Sequence, residues 1–560
     1  MPRCRICAIS FIVPLQARSV LKYFDAPEPT LCFDHFLQQH FAYRNERHLY
    51  RRTCELCGAT ILAMYAPESY VHVYCRACWH SDQWDVLQYG KPYNSSRPFF
   101  EQWFELVQQV PHFNLFQIGE NINCKYANYI RDGKDAYLSF SSLNTEGSVY
   151  NSNIDFSRDC ADSFQVNKSE LLYDCVFTTQ SYHCAFLTRA ENCTDCYFGR
   201  DLLDCQNCFG CVNLRHKKFY WYNEPLAQEE YQQRVKEVLQ NRAMIEKHQK
   251  KFEQFVPQFP VEATNIRNSS ECSGNEITHS QKITNGYNLV EVENGVDLYR
   301  IVYSHDMYRV LYSAYPECMY QSSVGSKMHY SCGLYMCPEV GFSAYSYICE
   351  NADELFGCVG VRQKKFCILN TQYSEEEYRI LRKQITADMK KRGEWGEFFP
   401  TQYSPHAYND TLSQDFFPLT ENEVLQKGWR WQHNQGGTHG KETIQPEDIP
   451  ETIEKISADI VKQILRCKKC DKNYRIQKKE LEILQSHHLP IPLECQDCRF
   501  ALRLKRSYQP KLYKRQCMCD CRHHDHTHRD SLCSKHITSI YAPHRPEIVY
   551  CKECYQKEVY

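Results

Sequence analysis

The sequence predicts an α+β chain, mostly β, with zinc-ribbon modules at both ends flanking a duplicated Cys-, Asn- and aromatic-rich repeat region. Three observations predict it. The two ends share one spacing of metal-ligand residues. The middle contains a gap-free internal repeat. Short strand-like pieces recur through that middle at near-regular intervals, as a β-solenoid would give, with a helix after each copy.

Residues 1–80 read as tandem zinc modules. Cys4-x2-Cys7 is followed, after 24 intervening residues, by Cys32-x2-His35. Cys54-x2-Cys57-Gly58 is followed by Cys75-x2-Cys78, and Gly58 suits a knuckle turn that needs positive φ. Residues 81–114 are a helical connector, with Pro98 opening the run Phe99-Phe100-Glu101-Gln102-Trp103-Phe104. Residues 115–255 and 256–432 are the two central repeats. Phe209-Gly210-Cys211-Val212-x2-Arg215-x-Lys217-Lys218-Phe219-x3-Asn223 recurs 147 residues later as Phe356-Gly357-Cys358-Val359-x2-Arg362-x-Lys364-Lys365-Phe366-x3-Asn370. Strands are expected at 173–177, 182–186 and 194–198, bounded by polar turn residues. Helices are expected over about 226–250 and 374–392, the second opened by a Ser374/Glu377 capping box. Residues 433–466 form a linker and then an amphipathic helix over about 451–466, with Ile453, Ile456, Ile460 and Ile464 on one face.

Residues 467–560 are a second tandem module in the register of the first. Cys467-x2-Cys470 precedes Cys495-x2-Cys498 by the same 24 residues, and Tyr541-Ala542-Pro543 stands before Cys551-x2-Cys554 as Tyr65-Ala66-Pro67 stands before Cys75. His35 occupies the place of Cys498 and is read as a ligand on that ground. The last site is Cys517, Cys533, Cys551 and Cys554. Cys517 aligns with Cys54 from the left, and Cys533 with Cys57 from the right, so an insertion separates them. It carries Cys519, Cys521, His526 and His528, which replace Cys517, complete a second ion or form a solvated loop. Two residues between thiols suit a shared tetrahedral ion, and closed four-ligand sites supply folding energy rather than hydrolysis. About four Zn²⁺ are expected.

The bulk composition bounds the rest. The 560 residues carry a formal charge of -2, 33 cysteines and a mean hydropathy of -0.61. No global field points to nucleic acid, and no apolar run approaches the ~20 residues of a membrane helix. The expectation is a soluble, cytoplasmic protein with reduced thiols and no membrane partner. The central cysteines, among them Cys160, Cys175, Cys184, Cys193, Cys196, Cys205 and Cys208, are read as a stacked interior. Nearby Glu191, Asp195 and Asp204 would raise a thiol pKa.

The chain resembles an uncharacterised multi-zinc-ribbon protein family of small-genome, candidate-phylum bacteria. The likeness rests on Cys4–His35, Tyr74-Cys75-Arg76-Ala77-Cys78-Trp79, Ser96-Arg97-Pro98-Phe99-Phe100-Glu101-Gln102, Phe356–Asn370 and Glu547-Ile548-Val549-Tyr550-Cys551. It departs from that pattern at His35, where Cys is expected, and in the crowded Cys517–Cys521 stretch. The resemblance implies organisation and compartment, and no activity.

The first functional expectation is a zinc-binding, non-catalytic scaffold with an unidentified protein partner. The sequence has no Gly-x-Ser-x-Gly, Walker, His-Glu-x-x-His or dinucleotide motif. A second expectation is RNA or DNA binding through basic ribbon edges. Fifteen Lys and Arg stand against five Asp and Glu from Lys462 to Arg515, with Tyr474, Tyr508 and Tyr513 among them, and Arg44, Arg47, Arg51 and Arg52 match in the first copy. A third is thiol redox chemistry at Cys193, Cys196, Cys205 and Cys208.

Overall fold

A computed structural model describes the chain apart from residues 279, 282, 284–285, 293–298, 305–307, 315–316, 327, 509, 521–527 and 529–531. Its described residues combine many strands with twelve α-helices. They fall into two compact units, each assembled from separate stretches: Met1–Phe116 with Thr264–Gln435 and Gln509–Leu512, and Gln117–Ala263 with Gly436–Tyr508 and Tyr513–Tyr560. Each unit thus joins one pair of cysteine-rich modules to one central segment. The amino-terminal pair goes with the second segment and the carboxy-terminal pair with the first.

In the second unit the central segment is a twelve-stranded sheet, parallel except at its last strand. Beyond the first strand, parallel neighbours are offset by twelve residues: Asn128 pairs with Phe140, Phe140 with Ser152, Ser152 with Phe164, and Phe164 with Val176. The backbone explains that number. Every third residue from Tyr129 to Tyr222 has positive φ. The chain therefore bends every three residues, and four bends make one rung. Left-handed φ costs an ordinary L-residue roughly 1–2 kcal/mol, and Asn and Asp tolerate it best. Thirteen of those 32 positions are Asn or Asp and two are Gly, which accounts for much of the Asn and Asp in this segment.

The residue after most bends is buried. Ser157, Cys160, Ser163, Ser169, Cys175, Ser181, Cys184, Cys193, Cys196, Cys205 and Cys208 all take this position, each at most 5% exposed. Their small side chains serve the backbone. Ser169 Oγ donates to the Asn167 carbonyl at 2.9 Å and accepts the Ser181 N–H, one rung on, at 3.1 Å. Ser181 Oγ in turn accepts the Cys193 N–H. The thiols donate likewise, Cys160 to the Arg158 carbonyl at 3.3 Å and Cys184 to the Tyr182 carbonyl at 3.3 Å. The expected strand 173–177 is interrupted by this pattern: Asp174 is left-handed, so Glu170–Tyr173 and Val176–Thr179 are separate strands. Tyr182–Glu191 and Tyr197–Leu203 likewise run past the expected strand ends. A period of three, rather than the period of two of an ordinary strand, sets these boundaries.

The first unit repeats the ladder in eleven strands, again parallel up to a final antiparallel strand. Its offset is again twelve over most of its length, as in Tyr287 with Tyr299 and Val340 with Ala352. The recurring motif closes both ladders. Asn223 accepts the Val212 N–H and donates to the Val212 carbonyl, both at 2.9 Å. Asn370 does the same to Val359, at 2.9 and 2.8 Å. A side-chain amide thus stands in for the next rung and covers the open edge. Gly357 is left-handed, and a Cβ there would meet Phe99 Cζ at 2.6 Å.

Helix Glu375–Arg392 opens on the Ser374/Glu377 capping box and ends at left-handed Gly393. Helix Phe99–Gln109 follows Pro98 directly and stacks Trp103 on Phe399, ring centroids 4.1 Å apart. Two expectations are corrected. The single helix over 226–250 is two, Gln228–Leu239 and Arg242–Phe255, because extended Asn241 caps the second through the Met244 N–H. The amphipathic helix over 451–466 is not formed; short 3-10 turns at Ile453–Lys455 and Ala458–Lys462 take its place. The stretch is dense in β-branched residues, and the Ile464 carbonyl is drawn into a strand-like bond with the Thr443 N–H at 2.7 Å. Ile453 and Ile460 are buried nonetheless.

Ser169→Ala should cost about 1–3 kcal/mol, because it strands the buried Ser181 N–H. Ser169→Cys should cost less, since a thiol fills the same slot at Cys193. Chemical-denaturation midpoints of the two variants test the order.

Candidate metal centres

Four clusters bring together the residues that the spacing singles out: Cys4, Cys7, Cys32 and His35; Cys54, Cys57, Cys75 and Cys78; Cys467, Cys470, Cys495 and Cys498; Cys517, Cys533, Cys551 and Cys554. Within each, all ligand atoms lie within 4.8 Å of one another. In the first three the first two ligands sit on a turn. In all four the second two sit on the start of a helix, where Cys32, Cys75, Cys495 and Cys551 are N-cap residues. A ribbon with a knuckle at each end is what the spacing predicts. The second knuckle is instead a helix N-terminus, whose unpaired N–H groups and dipole favour thiolate.

The turns are built alike. The Cys4 N–H donates to Ile9 O, Cys54 to Ala59 O and Cys467 to Lys472 O, at 2.8 to 3.0 Å. A left-handed residue follows the second thiol each time: Ala8, Gly58 and Asp471. A backbone N–H from the helical half then reaches the first thiol. Cys75 N donates to Cys54 Sγ, Cys495 N to Cys467 Sγ and Cys551 N to Cys517 Sγ, at 3.1 to 3.2 Å. At Cys54 burial opposes ionisation, but the amides of Cys57, Cys75 and Leu56 win and bring the thiol down to about 6. At Cys4 burial is outweighed in the same way by the amides of Cys32, Cys7 and Ile6, to about 7.

The fourth turn is the expected interrupted copy. Cys517 N donates to Lys535 O at 2.9 Å, so Lys535 takes the part of Ala59. The intervening chain is thirteen residues longer, and Cys533 still joins the cluster. Cys519 and His528 gather with Cys554 in a further group. Cys521 and His526 lie outside the described residues.

The donor geometry fits a tetrahedral ion. Zn–S bonds of about 2.3 Å give tetrahedral edges near ~3.8 Å, and a sulfur–nitrogen edge near ~3.6 Å. The sulfur pairs Cys7–Cys32, Cys57–Cys75, Cys467–Cys498 and Cys470–Cys495 stand 3.9, 4.0, 3.9 and 3.6 Å apart. His35 Nδ1 stands 3.5 Å from Cys4 Sγ and 3.2 Å from Cys32 Sγ. These separations are nearly twice the ~2.05 Å of a disulfide.

Part of the basic run is paired with carboxylates inside the second unit, whereas Lys468, Lys469, Arg475, Lys478 and Lys505 are exposed. Arg499, 7% exposed, lies between Asp162 at 2.6 Å and Glu480 at 2.8 Å. Arg503 pairs with Asp162 at 2.8 Å, Lys479 with Asp159 at 2.7 Å, and Arg506 with Asp174. Helix Gln496–Arg506, whose first turn carries Cys498, is thereby fastened to the ladder. Tyr474 and Tyr508 are buried, Tyr508 stacked on Phe177. In the first unit Arg44 pairs with buried Glu46, and Arg52 donates to the Ala66 and Val71 carbonyls. The repeat's own arginines also reach the modules: Arg362 lies over Trp79, and Arg215 over Tyr560.

Burial pushes the Cys160 thiol up to about 12 and the Cys196 thiol well above its usual range. At Cys193 the Cys196 thiol pulls down, but Cys205 and burial outweigh it, to about 12; at Cys205 the Cys193 thiol pulls down, but Cys208 and burial raise it to about 11. Burial and neighbouring thiols, rather than Glu191, Asp195 and Asp204, set these shifts. Among the described residues the close metal-type groups do not include these cysteines.

Two outcomes follow. Arg499→Met should destabilise the second unit by about 3–5 kcal/mol, since it leaves Glu480 buried beside Asp162 without its partner; the unfolding midpoint measures it. Iodoacetamide labelling of Cys193 and Cys205 in native protein should stay flat from pH 7 to pH 10, because their raised pKa keeps both as neutral thiols until the pH nears 11; a rise near pH 8.5 would contradict it. No protein-family model matches this chain, and no curated protein is similar to it.

Proposed function

We propose that the protein is a zinc-binding, non-catalytic scaffold. Four sets of Cys4 or Cys3His donors at tetrahedral separations support this reading. Thiolate-rich tetrahedral sets select zinc, and four protein donors complete the shell. Zinc would be held in the first unit by Cys4, Cys7, Cys32 and His35 and by Cys54, Cys57, Cys75 and Cys78. In the second unit it would be held by Cys467, Cys470, Cys495 and Cys498 and by Cys517, Cys533, Cys551 and Cys554. The ion there neutralises thiolates and ties a turn to a helix start. The chain's own contribution is to hold those thiolates with backbone N–H groups and to dock each clamp on a ladder.

On the same reading the two ladders are β-solenoids descended from one duplicated unit. The twelve-residue offset and the 147-residue repeat support it. Long regular ladders suit recognition of a protein partner, and the resemblance to multi-zinc-ribbon proteins of small-genome bacteria implies the cytoplasm as compartment. Among the described residues, no helix is long and apolar enough to cross a membrane.

Elemental analysis of anaerobically purified protein should return no fewer than four zinc ions per chain. Stripping them with a strong chelator should melt the modules, seen as lost helical ellipticity and a lowered Tm. A metal-free preparation with an unchanged Tm would sink the proposal.

A further inference from the structure

The insertion in the fourth cluster brings donors as well as length. Five positions separate Cys54 from Ala59, whereas eighteen separate Cys517 from Lys535. Counting from the first thiol, the place of Leu56 in the second cluster is held here by Cys519. Cys519 is 1% exposed, and its carbonyl accepts the Cys533 N–H at 2.9 Å, which ties its loop to the ligand turn.

Donors therefore gather twice around one sulfur. Cys554 Sγ lies within 4.8 Å of Cys517, Cys533 and Cys551 Sγ, and also within 4.8 Å of Cys519 Sγ and a ring nitrogen of His528. His528 Nε2 stands 3.3 Å from Cys554 Sγ. That matches the 3.5 and 3.2 Å that His35 Nδ1 keeps from its two sulfurs. The second cluster has no such outer group among the described residues.

We propose that the fourth centre binds two divalent metal ions bridged by the Cys554 thiolate. One is held by Cys517, Cys533, Cys551 and Cys554, the other by Cys519, His528 and Cys554. A thiolate sulfur keeps lone pairs enough for two metals. Charge favours the second ion: five buried thiolates around one Zn²⁺ carry -3, and around two they carry -1, the balance of a Cys3His site. Its binding displaces the Cys519 thiol proton and any proton on the coordinating His528 nitrogen to solvent. Among the described residues the outer ion has three protein donors, one of them shared with the inner ion, and it exchanges before the others. This inference rests on the zinc reading above.

The test is the full-length protein loaded with zinc, or with cadmium-113 for NMR. The wild type should hold five zinc ions per chain, and two of its cadmium resonances should share a scalar coupling carried by Cys554. Cys519→Ser and His528→Ala should each lower the content to four and remove that coupling, with Tm little changed. A moderate chelator should take one equivalent first. Four ions in the wild type, or five that persist in both variants, would overturn the proposal and leave the four closed sites standing. A folded protein with no metal would instead overturn the zinc reading itself.

Discussion

A backbone that turns left-handed at every third residue aims the side chain behind most bends, small or aliphatic, into the ladder interior, and it leaves N–H groups that the neighbouring rung does not reach. At many bends one residue class fills the space and meets the N–H. Ser and Cys are small, and each carries an atom that can accept an N–H from the next rung while donating to a carbonyl two residues back. The column Ser157, Ser169, Ser181 and Cys193 does this in succession. The abundance of cysteine in the centre and its abundance at the ends therefore have unrelated physical origins. In the ladders the thiol is a neutral, buried hydrogen-bonding group, and in the modules it is an ionisable ligand held by amides. Despite burial, amides lower the first thiols Cys4, Cys54 and Cys467, whereas burial raises their partners Cys32 and Cys495 as it raises Cys160 and Cys196 in the ladder.

The modules and ladders depend on one another. A module of this size has little core of its own, and the bound ion would fix only a turn against a helix start. The remaining faces of that helix are finished by the ladder. Arg499 and Arg503 bring the third cluster's helix onto Asp162, and Phe500 of the same helix packs against Phe164. Buried ion pairs of this kind add little net stability, but they are intolerant of misregister, so they fix where a module sits along a ladder whose rungs are otherwise alike. The paired arginines Arg215 and Arg362 do the same at equivalent rungs through aromatic faces.

Metal-ligand spacing is legible because a tetrahedral ion imposes local constraints: two residues between donors, and a turn or helix start to carry them. The register between the ends even located Cys533 across a thirteen-residue insertion. Helix Glu375–Arg392 was legible from its capping box for the same local reason. The ladders were legible only as composition. Asn, Ser and Cys abundance pointed to short strands, yet the period of three is visible only when Asp159, Asp162 and Asp174 are placed at bends and Cys160, Ser163 and Cys175 behind them. Residues 451–466 misled because isoleucines at helical spacing also bury well from 3-10 turns when the chain is pulled straight by Thr443. The carboxylate partners of Arg499, Arg503 and Arg506 were not legible, because charge density along a sequence does not reveal which carboxylates fold against it.

Each unit is discontinuous, and the ladder made first belongs with the modules made last. During synthesis residues 117–263 are complete 236 residues before Arg499 and 288 before Cys551. At translation speeds of about 5–20 residues per second, that interval lasts on the order of ten seconds to a minute. For that time Asp162, Asp174 and the apolar side chains around them have no partner, and a strand-rich surface is open to wrong pairing. A protein wired in this order has to survive its own biosynthesis half-finished.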